Sequence, residues 1–164
     1  MNLRFLSLVA GVLLLAACAD TTSSTGTAAG ANAGGTPTPS SSGSVQPGSA
    51  QDFAQNVGDR VFFDYDKSDI KPEGRQVLQR QADWLKKYPN VTVTVEGHCD
   101  ERGTREYNLA LGERRASAVK KMLVALGVPT ARVSTISYGK ERPAVVGSNE
   151  AAWAQNRRGV TVVN

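Results

Sequence analysis

The 164-residue chain has a formal charge of +4, one histidine and two cysteines, an inventory that argues against a disulfide scaffold and against a zinc centre of the usual ligand count. Acidic and basic residues are interspersed, with no basic run separated by aromatics, so a nucleic-acid-binding role has no support. Setting aside the segments that cannot fold leaves about 110 residues, enough for one compact domain with a single core.

Residues 1–17 read as a secretory signal. Arg4 gives a short positive start, and its removal with the leader takes the charge from +4 to +3. The apolar run Phe5–Ala17 is broken only by Ser7 and Gly11. At about 13 residues it is too short to cross a bilayer. It ends in Leu15-Ala16-Ala17-Cys18, where small residues suit the pocket of a signal peptidase and Cys18 offers a thiol for diacylglyceryl transfer. This stretch resembles a bacterial lipobox, which implies cleavage before Cys18 and lipidation of Cys18; the alternative is an ordinary signal peptide with a chance cysteine. Several acyl chains on one residue anchor firmly where a single chain binds marginally. Ala19 follows, with Asp20 one position later. By analogy with such lipoproteins, the lack of aspartate directly after the cysteine points to the outer membrane.

Residues 18–50 comprise this cysteine and a stretch dominated by Ser, Thr, Gly, Ala and Pro, with almost nothing apolar larger than alanine. Such a segment cannot bury enough apolar surface to offset its ordering entropy, so it is expected to be a disordered tether. Its r.m.s. span is about 30 Å.

Residues 51–164 make the expected domain. Val61-Phe62-Phe63 reads as a first strand. Pro72 opens a helix at the position where its missing N–H is harmless, Val77, Leu78, Ala82 and Leu85 recur at helical spacing, and Pro89-Asn90 ends it. Val91–Glu96 alternates apolar and polar, the clearest strand pattern in the chain. A long helix is predicted from Arg105 to Leu126, stopped by Gly127. Arg132–Tyr138 reads as a third strand. A loop over 139–156, with one helical turn near 150–154, leads to a last strand at Arg158–Val163. The order β-α-β-α-β-β predicts an α+β fold, a two-layer α/β sandwich with helices against one sheet.

Two residues stand out on physical grounds. Arg115 lies four positions after Leu111 and four before Val119, so it projects from the helix line facing the core. A guanidinium there is either paired, facing a cleft, or snorkelling to water. Asp100 lies in the loop beyond the alternating strand, a common place for ligand sites and also an ordinary place for a turn aspartate. His98-Cys99-Asp100-Glu101 does not make a metal site, because consecutive residues on an extended segment alternate sides.

The segment GHCDERGTREYNLALGERRASAV, from Gly97 to Val119, resembles the peptidoglycan-binding motif of OmpA-like domains, as do SYGKERPAV, NRRGV and FFDYDKSDI. The resemblance covers about residues 58–164. It implies a non-enzymatic, outer-membrane lipoprotein facing the periplasm that binds meso-diaminopimelate in an uncrosslinked stem peptide of peptidoglycan. The implied partners are peptidoglycan, the outer membrane through lipid on Cys18, and TolB with other Tol proteins, with a role in envelope integrity and cell division; no cofactor is implied. The resemblance places the critical side chains at Asp100 and Arg115. Phe63 and Asp64 are implied at one edge of the same pocket, and Thr104, Asn108 and Leu111 at another. Asn108 has a second reading, as a tie within the loop, and Arg157 and Arg158 read as a structural ion pair.

The chemistry is consistent with that ligand. The free end of diaminopimelate carries an ammonium and a carboxylate on one carbon, which Asp100 and Arg115 suit respectively. On this reading Asp100→Ala and Arg115→Ala each remove wall binding and leave the fold intact. Cys99 departs from the family pattern of a small alanine or threonine, and is expected to be buried. The competing readings are an OmpA-like envelope lipoprotein outside the Tol system and a peptidoglycan hydrolase. For the hydrolase no nucleophile, metal or tuned acid pair can be named.

Overall fold

The computed structural model describes residues 45–164. The leader, Cys18 and most of the tether lie outside them. Four strands form one sheet in the order β1-β4-β2-β3. β1 (Arg60–Phe62), β2 (Val93–His98), β3 (Val133–Gly139) and β4 (Arg158–Val163) alternate with α2 (Pro72–Lys87), α3 (Arg105–Ala125) and α4 (Glu150–Asn156). β4 runs antiparallel to both β1 and β2, whereas β2 and β3 pair in parallel through the α3 crossover.

The long helices cover one face of the sheet. Val61, Val93, Val95 and Val133 point to that face and pack with Leu78, Leu85, Val119 and Leu123. The opposite face carries Phe62, Ile136 and Val162, each more than a third exposed. The expected two-layer architecture is present, and the strand alternation is what separates the two faces.

Several boundaries differ from the sequence expectation. β2 starts at Val93, two residues later than the alternation suggested, and β3 starts at Val133. Both shifts have one cause. Arg132 sits in a 3-10 turn (Thr130–Arg132) and is not a strand residue. Its guanidinium donates to the carbonyls of Leu85, Tyr88 and Val91 at 2.9, 2.8 and 2.8 Å. It thereby satisfies orphan carbonyls at the end of α2, a need that every helix terminus has. Val91 is thus tied to the helix end before the strand begins.

The sequence also gave no sign of the segment before β1. α1 (Ala50–Asp52) runs into a π-helical turn, Phe53–Val57. Phe53 meets the Trp84 ring edge-on at 4.9 Å, and Trp84 Nε1 donates to Asp52 at 2.9 Å. Gln81 Nε2 donates to the Gly58 carbonyl at 2.7 Å, and its Oε1 accepts from Thr161 at 2.9 Å. A polar residue at a core-facing helix position thus bridges the entering chain and β4.

The central contact of the two layers is between glycines. Gly97 in β2 and Gly112 in α3 lie so close that a Cβ on Gly97 would stand 1.8 Å from the Gly112 carbonyl oxygen. The helix therefore rests almost directly on the strand. Asp100 lies three residues beyond the first glycine and Arg115 three beyond the second, so this approach brings the two together.

Candidate functional site

Arg115 is completely buried. Its Nε donates to the Lys67 carbonyl at 2.8 Å, Nη1 to the His98 carbonyl at 2.8 Å and Nη2 to the Asp64 carbonyl at 3.1 Å. The Phe63 ring lies 5.2 Å from its Cζ. A guanidinium has five N–H donors, so two remain without a carbonyl partner. No carboxylate pairs with it among the described residues. Burial pushes its pKa down. The carbonyl dipoles and the charge of Asp100 nearby hold a cation where a full counter-ion is missing.

Asp100 is 4% exposed. Oδ1 accepts from Arg102 N at 3.1 Å and Arg102 Nε at 3.2 Å; Oδ2 accepts from Arg102 Nη2 at 2.6 Å and Arg157 Nη1 at 3.3 Å. Burial alone would push this carboxyl up, but the Arg102 and Arg157 bonds outweigh it and hold the group below the usual carboxylate range.

Asp100 and Arg115 open onto one hollow of about 120 Å³, lined also by Tyr65, Asp66, Cys99, Arg102, Tyr107 and Leu111. One water needs roughly 15 Å³, so the space admits the head of an amino acid. Its charged lining is two acids, Asp66 and Asp100, and two bases, Arg102 and Arg115. This balance suits a zwitterion better than a simple cation or anion.

The other expected residues are placed unevenly. Leu111 and Asn108 line the hollow. Asn108 Nδ2 donates to the carbonyls of Arg102 and Thr104 at 2.7 and 3.0 Å, so the amide ties the loop. Thr104 caps α3 by accepting from Tyr107 N at 3.2 Å, and its side chain does not line the hollow. Phe63 is core, stacked behind Arg115. The Asp64 carboxylate pairs with Lys71 at 2.9 Å, and only its carbonyl reaches Arg115. Arg157 joins Asp100 and Glu150, the latter at 2.5 Å. Arg158 departs from the ion-pair expectation, since it donates instead to the carbonyls of Asn156 and Arg142 at 3.3 and 3.2 Å. Cys99 is buried, with its thiol donating to the Asn108 carbonyl at 3.3 Å and its pKa raised by burial. Among the described residues no three His, Cys, Asp or Glu side chains converge as metal ligands.

Sequence reasoning did not single out Tyr65, Asp66, Arg102, Tyr107 or Trp153. The Arg102 guanidinium lies between the rings of Tyr65 and Trp153, with Cζ 4.0 Å from each centroid. Tyr107 donates its hydroxyl to Asp66, which holds φ +56 in the left-handed region, where Asp is tolerated better than most residues. The available signal was the positioning of Asp66 four residues after Phe62, in the loop that leaves the strand end, as Asp100 leaves β2.

His98 supports Arg115 through its carbonyl and makes its own demand on the fold. Its ring is 2% exposed and Nδ1 has no partner. Burial, then the charge of Arg158, push its pKa down to about 4. The unfolded chain binds a proton on this ring below pH 6.5, and the folded chain binds it only near pH 4. The stability contributed by neutral His98 is therefore present above pH 6.5 and lost as pH falls towards 4. It amounts to at most about 3 kcal/mol. His98→Gln is expected to flatten the fall in melting temperature between pH 7 and pH 4. An unchanged slope would remove His98 from this account.

The OmpA family profile matches residues 62–157. A protein of Agrobacterium fabrum named peptidoglycan-associated lipoprotein is 54% identical over 151 residues, covering 92% of this chain and 82% of the relative. A protein of the same name from Pseudomonas aeruginosa is 44% identical over 161 residues, covering 95% of each. The crystal structure of the peptidoglycan-associated lipoprotein from Burkholderia pseudomallei superposes with a TM-score of 0.67 at 40% identity, covering 71% of this chain and all of that one. The C-terminal domain of Helicobacter pylori MotB shares the fold with a TM-score of 0.60 at 24% identity, covering 65% of this chain and 84% of that one.

Proposed function

The chain belongs to the OmpA family, among the peptidoglycan-associated lipoproteins, and from that membership we propose that it binds the free end of meso-diaminopimelate in the hollow between Asp100 and Arg115. The observation that carries the reading is the buried Arg115, with two N–H donors left over and no carboxylate partner among the described residues. A ligand carboxylate supplies the missing counter-charge. The ammonium on the same carbon is then directed to the acidic side of the hollow, at Asp100 and Asp66. Each charge-assisted bond in such a partly dry site contributes about 1.5–3 kcal/mol.

The protein is a binding module and not a hydrolase. Lipid on Cys18 anchors it in the outer membrane, the segment up to residue 50 spans the gap, and the domain holds the wall without a covalent link. Its partners are the Tol proteins, TolB first among them, and the assembly supports envelope integrity and division. These assignments of anchor and partners rest on the lipobox resemblance and on the family.

A lysine-type wall offers the amine and lacks the carboxylate, leaving Arg115 uncompensated once water is excluded. A site built to bind a polar group rejects the analogue without it strongly. The folded domain is therefore expected to sediment with diaminopimelate-type peptidoglycan, not with lysine-type, and to release no soluble fragments. Equal sedimentation with both wall types would refute the ligand assignment. Soluble muropeptides would instead favour a hydrolase.

A further inference from the structure

The carboxylate of Asp100 is already saturated. A carboxylate offers about four lone-pair positions. Here Arg102 N and Nε occupy Oδ1, while Arg102 Nη2 and Arg157 Nη1 occupy Oδ2. An incoming ammonium finds no vacant acceptor on this group. Of the donors present, three come from Arg102, and its side chain is the more exposed one. The Arg157 side chain is 7% exposed and held also by Glu150 and the Phe63 carbonyl, whereas the Arg102 side chain is 30% exposed.

We infer that Arg102 is the affinity-setting side chain of this site, an internal competitor that occupies Asp100 until a ligand ammonium displaces it, so that only a ligand with a neighbouring carboxylate binds with a useful net gain. The inference rests on the diaminopimelate reading above and names what limits how tightly that site binds.

The reasoning is one of exchange. A lone ammonium entering the hollow gains Asp100 but breaks the two side-chain bonds from Arg102, replacing one charge-assisted pair with another. Little net gain is left. A ligand bearing a carboxylate on the same carbon makes the same exchange and additionally engages the two N–H donors of Arg115 that no carbonyl takes. Only that second contact is uncompensated by a loss. Arg102 thus lowers the affinity of every ammonium ligand by the same factor, leaving the ratio between ligands to Arg115 and holding a lone amine to weak binding.

Two aromatic rings keep the competitor in place. Tyr65 follows the end of β1 and Trp153 stands on α4, and the guanidinium lies over both rings at 4.0 Å from each centroid. Stacking of this kind stabilises a planar cation without using its in-plane donors, so the side chain stays oriented towards Asp100. Trp153 is itself fixed, with Nε1 donating to Glu101 at 3.1 Å. Tyr65 is exposed, at 58%, and is the open side of the pair.

The test is calorimetric titration of two soluble peptides, L-alanyl-γ-D-glutamyl-meso-diaminopimelate and its L-lysine analogue, into the wild-type domain with its full chain, Arg102→Ala and Tyr65→Ala. Arg102→Ala is expected to bind the lysine peptide at least tenfold more tightly than wild type. It should bind the diaminopimelate peptide more tightly by a similar factor, because both peptides are spared the same exchange, and the preference between them should stay near that of wild type. Tyr65→Ala, which leaves both Asp100 and Arg102 chemically intact, is expected to tighten binding of both peptides by a smaller factor, and it decides the matter if Arg102→Ala does not fold. Where the wild type binds the diaminopimelate peptide, failure of the variants to bind both peptides more tightly overturns the role of Arg102 and leaves the ligand reading standing. Failure of the wild type and both variants to bind the diaminopimelate peptide overturns the ligand reading and this inference together.

Discussion

Gly97→Ala is expected to destabilise the domain by about 3 kcal/mol or more, at the upper end of what overpacking costs, and to lower its melting temperature by about 12 °C or more. The added Cβ would stand 1.8 Å from the Gly112 carbonyl oxygen and 2.5 Å from its carbon. Both are helix backbone, so no rotamer change relieves the clash. α3 must lift from the sheet, and with it Val119 and Leu123 lose their packing on β2 and β4. The reciprocal change is milder. A Cβ on Gly112 meets Ser137 Oγ at 2.3 Å and the Gly97 carbonyl oxygen at 2.9 Å, and the nearest of these is a hydroxyl that can rotate away, giving up its bond to the Leu109 carbonyl. Thermal melts of the two alanine variants would check the asymmetry. A Gly97→Ala melting point within about 2 °C of wild type would show that the layers can slide apart freely, and would weaken the claim that this contact sets the spacing of Asp100 and Arg115.

That contact also marks the limit of what the sequence reveals. Strand alternation and helical spacing locate β2, α2 and α3 because each buries one face, and burial is written in the order of apolar residues. Arg115 is legible for the same reason, as a charge on an apolar line. Gly97 is not, because a glycine in a strand signals close approach without naming the partner. Arg132 reads as the start of β3 since nothing in its neighbours shows that the end of α2 needs donors there. Arg102 and Trp153 are 51 positions apart, and the stacking of Arg102 on both Trp153 and Tyr65 joins three segments whose proximity only the folded chain supplies. Asp64 shows the converse difficulty: resemblance placed its side chain at the pocket edge, yet the backbone turn after β1 points that carboxylate at Lys71 and brings its carbonyl to Arg115 instead. The short α1 and the π-helical turn escaped because Phe53 and Val57 are the only two buried apolar residues in them, too few to set a period.

Arg115→Lys is expected to weaken binding to diaminopimelate-type wall by about a hundredfold, and Arg115→Ala to lose binding and much of the fold together. The sequence expectation that alanine leaves the fold intact does not survive the geometry. Arg115 is the common donor for the carbonyls of Asp64, Lys67 and His98. Removing it strands two acceptors on the loop after β1 and one at the end of β2, at about 1–3 kcal/mol for each that water cannot reach. Lysine keeps the charge but has three donors on one atom in place of a planar fork. If it satisfies the carbonyls, nothing is left for a ligand carboxylate; if it turns to the ligand, the carbonyls are stranded. Asp100→Asn is the matched probe on the acidic side. It keeps the shape of Asp100, removes the charge that receives the ammonium, and turns an N–H₂ towards Arg102 or Arg157, so binding is expected to fall by a similar factor with a smaller loss of stability. Wall sedimentation paired with a thermal melt on each variant separates the two effects. Arg115→Lys with wild-type binding and wild-type melting would show that a point charge suffices, and the bidentate recognition of a ligand carboxylate would then be wrong.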